Sequence, residues 1–254
     1  GTLDPGATGV LVVGLGRATR LLRFLTELPK SYVGEIVLGV ATTTLDDEGT
    51  ETGRWDMSHV TREEATAAAM TLTGPILQVP PMVSAVQVGG RRLHELARQG
   101  VEVDRPPRPV TVHRFDVEPT GEASIWRTEV SCSSGTYVRA LAADLGTALG
   151  GGAHLRRLRR VAIGPFTLEE AHTLEQLEGD PQAAVLAPAR ALAGHPTVSA
   201  TPDVAAAVGH GRPLKADELG AAGTGPWAVL AGDGSLLAVY EDRGRELLYP
   251  AVVL

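Results

Sequence analysis

The chain has 254 residues, 43% apolar and 21% charged, so it can bury a sizeable core and is not an intrinsically disordered chain. A formal charge of −7 excludes a uniformly basic protein, and a single cysteine, Cys132, excludes an internal disulfide framework and fits a reducing compartment such as the cytoplasm. No apolar run is long enough to cross a bilayer, so no membrane partner is expected.

In chain order, the first stretch is Gly1-Thr2-Leu3-Asp4-Pro5-Gly6-Ala7-Thr8-Gly9. Pro5 pushes Asp4 out of helical space, Gly6 and Gly9 permit tight turning, and the apolar run Val10–Val13 reads as a strand that anchors the loop. Asp4 is then either the head of an Asx-type turn or a carboxylate held for catalysis, and local chemistry alone favours the turn. A helix is expected from about Arg17 to Leu25. Val12-Val13-Gly14-Leu15-Gly16, with Glu35 nineteen positions after Gly16, imitates a dinucleotide fingerprint, but Thr19 stands where the third glycine belongs. A nicotinamide oxidoreductase is therefore a weak rival.

Lys30-Ser31-Tyr32 opens a strand over Val33–Val40, where a tyrosine is more often core than function. Thr42–Gly49 is a polar, acidic loop, read as solvated or as a turn; Asp46 and Asp47 have no further ligand at metal spacing. Thr61 and Glu64 form a capping box ahead of an alanine-rich helix ended by Gly74-Pro75. The proline-stiffened segment around Pro80 and Pro81 leads to Gly89–Gly100, a short basic helix carrying Arg91, Arg92 and Arg98. Pro109–Val117 and Ile125–Cys132 alternate as paired strands. Tyr137 and Arg139, read at a strand end, would point the same way, and a helix follows at Ala142.

Charge is segregated along this order. Residues 1–164 hold 18 Lys+Arg against 18 Asp+Glu, and residues 165–254 hold 5 against 12. Within the first part, residues 91–114 carry six arginines against three acids, and Arg156, Arg157, Arg159 and Arg160 come with no acid between them. Such clusters are candidate phosphate contacts or solvated faces. A boundary is expected over residues 165–195, followed by short apolar runs at Trp227–Leu230, Leu236–Tyr240 and Leu247–Leu254, the pattern of a small β module.

Several ordered motifs together resemble the bacterial tRNA pseudouridine synthase B (TruB) family. They are Leu3-Asp4-Pro5 followed by Ala7-Thr8-Gly9, Lys30-x-Tyr32, Pro80-Pro81 with Ser84-Ala85, Leu96-Ala97-Arg98-x-Gly100, Cys132-x-x-Gly135-Thr136-Tyr137-x-Arg139, and Gly152-Ala153-His154 through Arg160. The resemblance implies an α+β fold: a mixed, largely antiparallel sheet flanked by helices (the pseudouridine synthase fold) with a small C-terminal PUA-like β module. It places the catalytic domain at 1–180, with an RNA-binding insertion over about 78–108, and the PUA-like domain at 195–254. It implies conversion of the T-loop uridine (uridine-55) of tRNA to pseudouridine by base flipping, with tRNA as partner, a monomeric cytoplasmic enzyme, no cofactor and no metal.

By the same resemblance Asp4 is the catalytic carboxylate, Arg139 its partner in a pocket that excludes water, and Tyr137 the ring under the flipped base. Tyr32 stacks on the base, Leu158 walls the pocket, and Pro80, Pro81, Arg91, Arg92 and Arg98 belong to the segment that closes over the T-arm. Val83 and Gln87 stand where the family has a tyrosine and a lysine, which removes one aromatic surface and one cation from that segment. The family's N-terminal strand, with its Lys-Pro motif, and the Gly-His pair ahead of Gly1 are not in this sequence, so a natural beginning upstream is expected. A non-catalytic RNA-binding or chaperone module is the alternative of a different class, since basic loops need no Asp4.

Overall fold

The computed structural model describes residues 2–84 and 103–254, and residues 87–88 and 91–92 by their backbone. The chain forms two compact units, one of residues up to Leu11 with Leu28–Glu169, the other of Val12–Glu27 with Glu170–Leu254. The second unit thus takes a segment from near the start of the chain, which a linear division within residues 165–195 does not anticipate.

The first unit is built on a seven-stranded sheet. Its strands in chain order are β1 (Thr8–Gly9), β2 (Lys30–Leu38), β5 (Gly74–Gln78), β8 (Arg108–Pro119), β9 (Ile125–Cys132), β10 (Ala153–Ile163) and β11 (Phe166–Thr167). The small pairs β3 (Val40–Thr42) with β4 (Glu51–Arg54), and β6 (Gln87–Val88) with β7 (Arg91–Arg92), lie apart from it. The sheet order is β1-β10-β2-β9-β8-β5, with β11 on β10, and only β1–β10 is parallel. This is the mixed, largely antiparallel α+β sheet expected.

Alternation explains the strands: Gly34, Ile36 and Leu38 of β2, and Trp126, Thr128, Val130 and Cys132 of β9, face inward. In β8 the spacing slips between Val112 and Phe115 because a bulge beside Arg114 re-aims the strand. The helix Val138–Ala148 lays Val138, Leu141, Ala142 and Leu145 on this core at helical spacing, each leucine adding roughly 1.5–3 kcal/mol by burial. The helix Arg62–Thr71 begins at the capping box read from Thr61 and Glu64.

Three local readings change. Val10–Val13 is not a strand: β1 stops at Gly9, Val10 is buried, and Leu11 and Val13 are exposed. The reason lies in β10, whose pairing with β2 shifts between Arg160 and Ala162, so no regular ladder continues past Gly9. Tyr137 and Arg139 are not on a strand end; Tyr137 is the N-cap of the helix Val138–Ala148, and Arg139 is in its first turn. Arg91–Arg92 is extended and pairs with Gln87–Val88, not helical, while the rest of that expected helix, from 93 on, lies outside the described residues.

The second unit has a four-stranded sheet, β12 (Thr197–Ser199), β13 (Trp227–Leu230), β14 (Leu236–Asp242) and β15 (Leu248–Val253), in the order β12-β13-β14-β15. The three apolar runs of the sequence are strands here. The segment read as one helix over Arg17–Leu25 starts as a 3-10 turn, Gly16–Leu21, and turns α-helical over Leu22–Thr26. It delivers Leu21 to a cluster with Leu192, Leu236, Val239 and Val252, and Arg17 donates to the carbonyl of Val253. Among the described residues, no helix is long and apolar enough to cross a membrane.

Candidate active site

Asp4 sits in a tight turn closed by the Ala7 N–H donating to its carbonyl at 2.9 Å. The turn is followed by β1, where Gly9 has φ of +105° and a Cβ would fall 2.1 Å from the Arg160 carbonyl oxygen. Only glycine lets the loop lie this close to β10.

Arg139 comes to the same place from the helix Val138–Ala148. Its side chain is 6% exposed, and its Nε lies 2.9 Å from Asp4 Oδ2, although the N–H is not aligned on that oxygen. The contact is an ion pair rather than a directed hydrogen bond. The aligned bonds go elsewhere: Nη1 donates to Asp46 Oδ2 at 3.0 Å and to the Thr44 carbonyl at 3.2 Å, and Nη2 donates to the Val83 carbonyl at 3.1 Å. One guanidinium therefore joins the Asp4 turn, the Thr42–Gly49 loop and the segment after Pro81.

The Thr42–Gly49 loop does turn, with Thr43, Asp47 and Glu48 exposed, but its Asp46 is tied into the site. Asp46 is held by the Thr44 hydroxyl and the Glu48 N–H, while the Thr42 hydroxyl donates to its carbonyl at 2.7 Å. Leu45 takes a positive φ of 64°, and its carbonyl accepts from the Leu155 N–H on β10. Beside it, His154 is buried with one ring nitrogen 2.8 Å from Asp47 Oδ1 and the other 2.8 Å from the Val40 carbonyl. The neighbouring carboxylates thus have separate tasks: Asp46 faces Arg139 and Asp47 faces His154.

Asp4, Pro5, Asp46, Arg139, Arg156 and Leu158 line one cleft, which brings the expected carboxylate, its cation and the apolar wall together. Tyr32 and Tyr137 are half-buried and are not among the residues lining it. Burial, followed by Cys132, pushes the Tyr32 phenol up, while the nearby Arg160 cation opposes this. The Asp4 side chain is 45% exposed, so the water-excluding pocket expected around it is here an open cleft. Pro80 and Pro81 are buried, and Arg105 donates to the Pro80 carbonyl at 3.1 Å. The side chains of Arg91 and Arg92, and Arg98 altogether, lie outside the described residues.

The four arginines of β10 separate by face. Arg156 and Arg157 approach Glu35 at 3.7 and 3.6 Å, Arg159 is exposed, and Arg160 is 3% exposed and turned inward. Among the described residues, no group of three or more His, Cys, Asp or Glu could hold a metal ion.

Gln78, which sequence reading passed over, is 2% exposed and grips the helix start: its Oε1 accepts from the Tyr137 N–H at 2.8 Å and its Nε2 donates to the Tyr137 carbonyl at 3.1 Å. Nothing local marks it, because its partner is 59 residues away. Gln78→Met fills the space but leaves the buried Tyr137 N–H unpaired, so it should destabilise the protein by about 1–3 kcal/mol in denaturant unfolding. An unchanged midpoint would show that the amide clamp contributes nothing.

Comparison with known proteins fits this arrangement. The model for the TruB family pseudouridylate synthase N-terminal domain matches residues 1–138, and that for the tRNA pseudouridylate synthase B C-terminal domain matches residues 139–189. A protein of Rhodococcus jostii (strain RHA1) named tRNA pseudouridine synthase B is 48% identical over 249 residues, 96% of this chain and 80% of that one. One of the same name from Symbiobacterium thermophilum is 51% identical over 214 residues, 83% of this chain and 71% of its own length. Among solved structures, a chain of a Cbf5-Nop10-Gar1 complex superposes with a TM-score of 0.72 at 27% identity, covering 95% of this chain and 68% of that chain. With more than half its length under the family model and relatives at this identity, the chain belongs to the TruB family of pseudouridylate synthases.

Proposed function

We propose that the chain converts uridine-55 in the T-loop of tRNA to pseudouridine. The observation that carries the reading is the Asp4–Arg139 ion pair in a cleft walled by Leu158. The reaction breaks the N1–C1′ bond, turns the uracil and rejoins it through C5; C5 loses a proton and N1 gains one, so no redox partner or cofactor is needed. Asp4 acts on the sugar, and Arg139 offsets its charge and fixes its direction. The target base must leave its stack to reach Asp4. Tyr32 and Tyr137 are the rings that receive it, and such stacking contributes roughly 1–3 kcal/mol per base.

Exposed Arg157 and Arg159 on β10, with Arg91, Arg92 and Arg98 in the segment over about 78–108, meet the phosphates of the T-arm. In this reading residues 1–180 are the catalytic domain, and 195–254 are a PUA-like RNA-binding module of a monomer that works in the cytoplasm. The direct test is incubation with an unmodified tRNA transcript followed by nucleoside analysis. Pseudouridine at the T-loop position is expected; tight tRNA binding with no product would favour the non-catalytic RNA-binding alternative.

Binding should also weaken steeply with salt, since each neutralised phosphate adds roughly −0.7 to −0.9 to the slope of log affinity against log salt concentration. Changing both Arg157 and Arg159 to Ala should make that slope shallower by roughly 1.4–1.8. An identical slope in a salt titration of the double variant would assign these two arginines to solvent rather than to RNA.

A further inference from the structure

Arg160 has a separate place from Arg139 and from the exposed arginines of its own strand. It is 3% exposed, and no carboxylate pairs with it among the described residues. Its Nε donates to the Val10 carbonyl at 2.8 Å and its Nη1 to the Thr2 carbonyl at 3.3 Å, one on each side of Asp4. Its own backbone carbonyl accepts from the Val10 N–H at 2.8 Å, so Val10 is held through both of its polar main-chain groups. Nη2 is sealed from solvent without an aligned acceptor. Across the β2–β10 pairing it is in register with Tyr32, and its charge works against the rise that burial causes in the phenol pKa.

A buried charge without a counter-charge is costly, and an apolar side chain of similar volume at such a place is often no less stable. Stability alone therefore does not call for arginine here. What an apolar side chain cannot do is bind two carbonyls that bracket a loop from a position in register with Tyr32 on the next strand. Leucine or methionine would fill the volume and keep the main-chain bond to the Val10 N–H, but would lose the side-chain ties to the Val10 and Thr2 carbonyls.

We infer that Arg160 is a positioning residue: its guanidinium holds the Asp4 loop at both ends and registers that loop against Tyr32, without itself touching RNA. The inference rests on the reading of Asp4 and Tyr32 given above. It divides Arg139 and Arg160 by task, Arg139 aiming the carboxylate and Arg160 setting the loop that carries it.

The test uses the full chain with Arg160→Met and Arg160→Lys, measuring single-turnover rate, tRNA affinity and amide hydrogen exchange. For Arg160→Met we expect a rate loss of about a hundredfold, the scale of a misplacement of about 1 Å in a reacting group. Affinity for tRNA should stay within about threefold, because a sealed side chain makes no phosphate contact. The Val10 amide should exchange faster, and the amides of the helix Val138–Ala148 should keep their protection. Arg160→Lys keeps the charge and can reach only one carbonyl at a time, so it should recover part of the rate. A folded Arg160→Met with a wild-type rate overturns the inference, as does a rate loss matched by an equal loss of tRNA affinity. If Arg160→Met does not fold, Arg160→Lys decides in the same way: full rate with unchanged Val10 exchange overturns the inference. Should the unaltered chain make no pseudouridine, the proposed function fails, while faster Val10 exchange in the variants still reports the tie.

Discussion

Asp4→Asn is expected to lower pseudouridine formation by about 10⁴-fold or more, the scale at which loss of a catalytic carboxylate is felt, while tRNA affinity stays within about tenfold. The substitution removes one charge and almost no volume. The turn around Asp4 is closed by its main-chain carbonyl, which asparagine keeps, and the carboxylate is half in solvent, so stability should change by less than about 1 kcal/mol. Arg139 retains Asp46 and the carbonyls of Thr44 and Val83. The variant should therefore be folded, RNA-binding and inactive, a combination that random damage to the fold does not produce. Nucleoside analysis of tRNA treated with the purified variant checks it, and undiminished product would remove Asp4 from the chemistry.

Arg139→Ala is expected to be worse in a different way. It strips the cation from Asp4 and Asp46 together and leaves two main-chain carbonyls without their donor. Removing one member of a buried ion pair typically costs 3–5 kcal/mol, and because Asp4 is half-exposed a loss of about 2–4 kcal/mol in denaturant unfolding is the expected share. The rate should fall by about 10²–10³, as when a preorganised charge partner is removed. Arg139→Lys keeps the charge but cannot reach four acceptors from one ammonium, so it should recover more stability than rate. A variant as stable as the parent would mean that the network closes without the guanidinium.

Sequence reading reached the parts whose causes are local. Pro5 and Gly9 mark the rigid loop that carries Asp4, Thr61 with Glu64 marks a helix start, and the alternation of β2 and β9 marks their inner faces. It also reached the family, and through it the pairing of Asp4 with Arg139. It failed where a residue's partner is far along the chain. Asp46 gave no sign of its place in the site because Arg139 is 93 positions away. Gln78 and Arg160 showed no periodic or turn signal at all, since each acts on backbone groups that only the fold brings near. Tyr137 was assigned to a strand because the residues before it do form one; the helix begins there because Gln78 takes both main-chain groups of Tyr137.

Cys132 ends β9, directly opposite Lys30 and two residues from the partner of Tyr32. It is 1% exposed, and burial pushes its thiol up to about 11. Near pH 8 only about one molecule in a thousand carries the thiolate that alkylating reagents attack, and that one is enclosed. Because the chain has no other cysteine, a native sample given iodoacetamide carries a single slow clock. Labelling should proceed only as fast as the strand paired beside Tyr32 opens, and bound tRNA that stacks on Tyr32 should slow it. Prompt modification at neutral pH would mean that this strand breathes far more often than its burial allows.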